Sequence, residues 1–171
     1  FDVEEIPTHG GSLRIFAKHS ENKLFEIKES VENLIKKEKQ MGLDNYAVYS
    51  NFSQKVKNVK NELNQFLEKA ELEGKSTVCY GAPAKGNTLL NFCGIKNEQI
   101  KYTVDRSPHK QGLFLPGSHL PIKSPKTILE TKPDYVIILA WNLKDEIMQQ
   151  MKDIRAWGGK FVIPIPGLKI Y

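Results

Sequence analysis

The segment Tyr80-Gly81-Ala82-Pro83-Ala84-Lys85-Gly86-Asn87-Thr88 carries the most readable chemistry in the chain. It lies between a short β-type run, Ser76–Tyr80, and a stretch of helical character that starts near Gly86 and stops near Gly94. Strand, glycine loop, helix is the context in which a dinucleotide-binding fold places its phosphate loop. Gly81, Pro83 and Gly86 stand at the three glycine positions of G-x-G-x-x-G. The first position permits a tight turn, and the third permits close contact between helix and strand. Pro83 at the second removes an N–H and obstructs the backbone approach that a pyrophosphate needs, which argues against an ordinary NAD site. An anion site survives that objection. The first N–H groups of the helix are unpaired and sit at the positive end of its dipole. Lys85 adds a mobile charge there, and Asn87 and Thr88 add donors. Read purely as architecture, the same residues are a packing turn with a solvated lysine.

Asp105 follows a second β-type run, Ile100–Val104, and lies 24 positions after Gly81. An acidic residue at about that distance meets a ribose hydroxyl in dinucleotide folds. Arg106 and Lys110 come directly after it, so Asp105 could equally cap a turn and be neutralised by them. Trp141 and Asn142 end a third, strongly apolar run, Tyr135–Ala140, on the side where open α/β sheets bind ligands. Trp141 could stack on a base or belong to the rim of the core. His9, beside Gly10 and Gly11, could reach into a cleft or be an exposed turn residue. No His, Cys, Asp or Glu spacing suggests a metal, and no nucleophile stands near a base. Cys79 reads as a buried small hydrophobe, and nothing around Cys93 would activate it.

The elements that would position these residues fall into three pieces. In residues 1–19, Phe1–Ile6 and Ser12–Lys18 read as strands joined at Thr8–Gly11, a hairpin that must pack on something else. Residues 20–75 are helical. Ile27, Val31, Leu34, Ile35 and Met41 share one face up to Gly42, and Phe52, Val56, Val59, Leu63, Phe66, Leu67 and Ala70 form a longer stripe ending near Gly74. Residues 76–171 alternate strand and helix. Ser124-Pro125 starts a short helix through about Glu130, Asn142 caps one running to Gly158-Gly159, and Phe161–Ile165 is the last strand. Alternation of this kind predicts an α/β, Rossmann-like open parallel sheet, preceded here by an N-terminal β-hairpin and a helical segment.

Composition narrows the partners. The chain has 171 residues and a net charge of +5. Up to Lys75 there are 12 Lys and Arg against 13 Asp and Glu, and beyond it 13 against 7. The positive excess therefore lies wholly in the strand–helix half, where an anionic ligand could use it. Its basic residues are scattered singly without interleaved aromatics, which speaks against nucleic acid. No apolar run reaches the ~20 residues of a membrane span, and two cysteines give no disulfide framework, so a cytoplasmic setting is expected.

Several motifs together resemble one family. They are Thr8-His9-Gly10-Gly11-Ser12-Leu13-Arg14, the run Tyr80 to Asn91 containing Lys85-Gly86-Asn87-Thr88, Asp105-Arg106 with Lys110-Gln111-Gly112, and Leu115-Pro116-Gly117. Trp141-Asn142-Leu143-Lys144-Asp145-Glu146 and Gly158-Gly159-Lys160-Phe161 complete the set. In this order, over nearly the whole chain, they look like the C-terminal domain of S-adenosylmethionine-dependent sugar C-methyltransferases. Members of that family carry a zinc-binding region, then a methyltransferase domain, then a Rossmann-like domain. They methylate a carbon of a keto-sugar attached to a nucleoside diphosphate.

The resemblance implies that residues 1–19 close an upstream methyltransferase domain belonging to the same parent chain. The cysteine ligands, the S-adenosylmethionine loop and the catalytic cluster have no counterpart here, so the cofactor is expected in the parent and not on these residues. The resemblance implies a nucleoside-diphosphate-sugar ligand, and position in the chain assigns its site to Gly81, Ala82, Lys85, Gly86, Asn87, Thr88, Asp105, Arg106, Lys110, Trp141 and Asn142, with His9 a further cleft contact and no metal. Two other readings stay open: an NAD(P)-dependent oxidoreductase domain, and a Rossmann-like interaction domain that binds no small molecule.

Overall fold

A computed structural model describes residues 1–171. The chain divides into two compact units, Phe1–Lys55 and Val56–Tyr171.

In the first unit, β1 (Asp2–Ile6) and β2 (Ser12–Phe16) form an antiparallel pair in a sheet of their own. A short turn, Thr8–Gly10, with His9 at left-handed dihedrals, joins them. Helix α1 (Glu29–Gln40) lies against the pair, with acidic residues in its first turn and Lys37 and Lys39 in its last, as its dipole favours. Polar bonds link them. Asp2 accepts hydrogen bonds from Lys28 and Ser30, and Lys37 pairs with Glu5. The second strand stops at Phe16, two residues short of the expected Lys18, because the chain turns away where Lys18 bonds the carbonyls of Asn22 and Phe25.

Helix α2 (Tyr46–Leu72) starts six residues before the first residue of its apolar stripe and runs from the first unit into the second. The second unit is built on six strands. They are β3 (Thr77–Tyr80), β4 (Thr103–Val104), β5 (Ile122–Lys123), β6 (Tyr135–Ile138), β7 (Lys160–Ile163) and β8 (Lys169–Ile170). Their order across the sheet is β5-β4-β3-β6-β7-β8, parallel throughout except for β8 at the edge. Renumbered within the sheet this is the order 3-2-1-4-5-6 of doubly wound nucleotide-binding folds. The fold is therefore α/β and Rossmann-like, with the predicted hairpin outside the sheet.

Alternation along the strands sorts the core into two layers. Cys79, Ile137, Leu139 and Val162 pack with Leu63 and Leu67 of α2 and with Leu89, Leu90 and Cys93 of α3 (Ala84–Cys93). Val78, Tyr80, Val136, Ile138, Phe161 and Ile163 face the other way. They meet Ile128 of α4 (Lys126–Thr131), Ile147 of α5 (Lys144–Gln150), and Met151 and Ile154 just beyond it. Burial of both faces is why these strands read as nearly continuous apolar runs.

Several boundaries differ from expectation. Helix α3 begins at Ala84 rather than Gly86, with Pro83 as its N-cap, because the fixed φ of proline suits a helix entrance. The helix expected from Asn142 to Gly158 is broken. A 3₁₀ turn spans Trp141–Leu143, α5 ends at Gln150, and a second 3₁₀ segment covers Lys152–Trp157. Asn142 does not cap α5, since its side chain is engaged elsewhere. Ser124 makes no side-chain cap on α4 either, and Pro125 occupies the entrance with helical dihedrals.

Candidate functional site

The sheet reverses its winding between β3 and β6, and the carboxyl ends of those strands open a crevice where ligands of such folds bind. The loop from β3 to α3 forms one wall. Gly81 has φ +96°, a conformation L side chains rarely adopt, and a Cβ there would come tightly against Pro83 at 3.3 Å. Gly86 answers a different demand. A Cβ would fall 2.7 Å from the Cβ of Leu139, so only glycine lets α3 lie this close to the end of β6.

Four hydrogen bonds tie this loop to β4 and the segment after it. The Gly81 N–H donates to the Val104 carbonyl at 2.6 Å, and Thr103 Oγ1 donates to the Gly81 carbonyl at 2.7 Å. The Ala82 N–H donates to Asp105 Oδ2 at 2.8 Å, and Lys110 Nζ donates to the Ala82 carbonyl at 3.0 Å. Asp105 accepts further bonds from the Ser107 N–H at 2.9 Å and from Lys110 Nζ at 3.2 Å. Burial pushes the Asp105 carboxyl up. The two N–H groups and the Lys110 ammonium outweigh burial and hold it below the usual carboxylate range. Asp105 and Lys110 thus act chiefly on the loop, with the Ala82 N–H already committed to the carboxylate.

The donors left to a ligand stand one step further on. Ala84, Lys85 and Gly86 open α3, and no N–H of a helix's first three residues has an intrahelical acceptor. Pro83 offers no side-chain cap, and the Asn87 N–H already reaches the Pro83 carbonyl. Lys85 Nζ sits 4.7 Å from the centroid of the Trp141 ring and donates to Asn142 Oδ1. Burial moves its pKa below the ordinary lysine value. Lys85, Trp141 and Asn142 are therefore one cluster, a cation held by an aromatic face and an amide with no carboxylate to neutralise it. Of the other α3 residues, Thr88 Oγ1 bonds back to the Ala84 carbonyl at 3.1 Å, while Asn87 Oδ1 is shielded from solvent without a partner.

A cleft of about 150 Å³ adjoins the loop. Gly81, Pro83, Ala140, Leu143 and Ile147 give it apolar walls, and Asp105, Arg106 and Lys110 border it. Arg106 pairs at 3.3 Å with Glu146, and both are exposed. The structure thus gathers Gly81, Ala82, Lys85, Gly86, Asp105, Arg106, Lys110, Trp141 and Asn142 around the ends of β3, β4 and β6. His9 belongs to the first unit, where it is exposed at φ +57° in the hairpin turn. Sequence reasoning missed Tyr80, Glu146 and Gln150, which also line the cleft. The i, i+4 spacing of Glu146 and Gln150 beside the apolar positions of α5 was the available signal. No three His, Cys, Asp or Glu side chains gather where they could hold a metal ion, and no helix is long and apolar enough to cross a membrane.

Comparison with known proteins shows the family. The C-methyltransferase C-terminal domain family model matches residues 7–166. Among curated proteins, C-methyltransferase NovU of Streptomyces niveus is 34% identical over 165 residues, covering 96% of this chain and 39% of that protein. Among solved structures, UDP-D-quinovosamine 4-dehydrogenase from Vibrio fischeri aligns with a TM-score of 0.38 and 16% identity, over 52% of this chain and 76% of that one. The chain spans about two-fifths of the length of NovU. With residues 7–166 matched by the family model and a relative 34% identical over nearly the whole chain, the chain belongs to the C-methyltransferase C-terminal domain family.

Proposed function

We propose that this chain is the substrate-holding domain of an S-adenosylmethionine-dependent sugar C-methyltransferase, and that it grips the nucleoside-diphosphate part of a keto-sugar substrate. The observation that carries the reading is Lys85. Its ammonium stands beside the first turn of α3 without a carboxylate partner, next to N–H groups that no side chain caps. A diphosphate placed there would meet a helix N-terminus and a cation together, the combination that favours anions. The loop leading to it is held by four bonds from β4 and the residues after it, so little ordering is left for the ligand to induce.

Carbon methylation next to a ketone requires the acidic carbon, a base and the methyl donor to meet in one geometry. Fixing a substrate by its remote, unreactive part spends binding energy on that orientation. The proposed contribution of this domain is positional, and the proton transfer belongs to groups of an upstream domain. S-adenosylmethionine supplies the methyl group in such enzymes, but the residues here do not suit it. Lys85 lies beside the crevice unneutralised and would repel a sulfonium cation, so the donor is assigned to the upstream methyltransferase domain. In the same reading, the β1–β2 hairpin closes that domain.

Calorimetric titration of the full-length protein with thymidine and guanosine diphosphates, with NAD and NADP in parallel, tests the proposal. Binding of a nucleoside diphosphate is expected. Tight NAD binding without diphosphate binding would replace the reading with that of an oxidoreductase domain. No binding up to millimolar ligand would leave the domain an interaction module.

A further inference from the structure

The cleft beside Tyr80 contains polar groups that the diphosphate site does not use. Tyr80 is only 4% exposed, yet it lines the cleft, and its hydroxyl has a single long contact of 3.4 Å to Gln150 Oε1. Gln150 Nε2 donates to Glu146 Oε1 at 2.7 Å, and Arg106 Nη1 donates to the same oxygen at 3.3 Å. Tyr80, Gln150, Glu146 and Arg106 thus form a continuous line of donors and acceptors along a space whose other walls, apart from Asp105 and Lys110, are apolar.

We infer that this cleft takes the nucleobase of the bound nucleotide, with Tyr80 and Gln150 meeting its hydrogen-bonding edge. The inference rests on the nucleotide-sugar reading above and adds which end of the nucleotide goes where. A flat ring with apolar faces and a polar edge matches a cleft lined by both apolar residues, Pro83 and Leu143 among them, and the linked polar groups of Tyr80 and Gln150. At about 150 Å³ the cleft is about half the low end of the ~300–1,000 Å³ typical of small-molecule sites, so it holds one part of a nucleotide rather than the whole. The order of the surroundings also agrees with the covalent order of the ligand. Asp105 and Lys110 border the cleft where a ribose would follow the base, and Pro83 leads directly into the free N–H groups of α3 where the diphosphate would lie.

Gln150 is exposed, so Gln150→Leu removes its polar groups without opening the core. Tyr80→Phe removes only the hydroxyl. Calorimetry on the full-length protein should compare thymidine diphosphate, guanosine diphosphate and inorganic pyrophosphate on the wild type and both variants. Each variant should weaken the better-bound nucleoside diphosphate about five- to tenfold, the worth of one hydrogen bond, and leave pyrophosphate affinity unchanged. Diphosphate affinity untouched by both variants would place the base elsewhere and overturn the inference while the nucleotide reading stands. A parallel loss of pyrophosphate binding would also overturn it, by reducing Gln150 and Tyr80 to structural roles. Failure of the wild type to bind either diphosphate would remove the nucleotide reading and this inference with it.

Discussion

Asp105 Oδ2 accepts the backbone N–H of Ala82 at 2.8 Å, so the residue that follows β4 holds the loop that follows β3. A carboxylate at this position in a dinucleotide fold is expected to face a ribose. Here both of its oxygens are engaged by protein donors, and its first role is to fix the entrance of α3. Replacing it with alanine leaves the Ala82 and Ser107 N–H groups without their acceptor. Asp105→Ala should lower stability by about 1.5–3 kcal/mol in urea denaturation, the range for hydrogen bonds to a charged group. Loss of diphosphate binding should accompany it.

The same carboxylate predicts a pH dependence. Its pKa in the folded chain lies below the unfolded value of about 3.9. Its contribution is therefore complete above that value and disappears as the pH falls through the lower, folded pKa. The stability difference between wild type and Asp105→Asn should be constant near neutrality and shrink below about pH 4, as read from urea midpoints across an acid series.

Gly86 predicts a steric effect. In Gly86→Ala the new methyl group would lie 2.7 Å from the Cβ of Leu139, so α3 must move away from β6. Overpacking of this kind costs about 1–3 kcal/mol. The start of α3 shifts with it, so diphosphate affinity should fall even under conditions where the variant is fully folded. Circular dichroism paired with calorimetry separates the two effects.

Trp141 offers an optical report. The Lys85 ammonium stands over its ring, and an arriving diphosphate should draw the lysine away. In a Trp157→Phe background, where Trp141 is the remaining indole among these 171 residues, nucleoside diphosphate should change its emission, and Lys85→Met should abolish the response. Because the folded lysine titrates below the ordinary value of about 10.4, affinity should also decline on the alkaline side sooner than for an exposed lysine. Lys85→Arg should move that decline to higher pH.

The sheet was legible in the sequence because its central strands are buried on both faces. Runs such as Tyr135–Ile138, flanked by amphipathic helices, leave few other arrangements. The two-residue strands β5 and β8 were not, since Ile122-Lys123 and Lys169-Ile170 are too short for any periodicity. The roles of Gly81 and Gly86 as a turn and a close approach are legible because the strand–loop–helix spacing that signals them is local, even though the neighbour Gly86 makes room for, Leu139, lies far along the chain. Side-chain partnerships were hidden for the opposite reason. Lys85 and Asn142 are 57 positions apart, and Tyr80 and Gln150 are 70 apart, and only the folded sheet brings each pair together.

A crystal structure of the full-length protein with a bound nucleoside diphosphate tests the central claim most directly. The account predicts diphosphate oxygens within about 3 Å of the Ala84–Gly86 amide nitrogens and of Lys85 Nζ, with the lysine released from Asn142. A nucleotide bound away from the start of α3, with Lys85 still resting on Trp141 and Asn142, would contradict it.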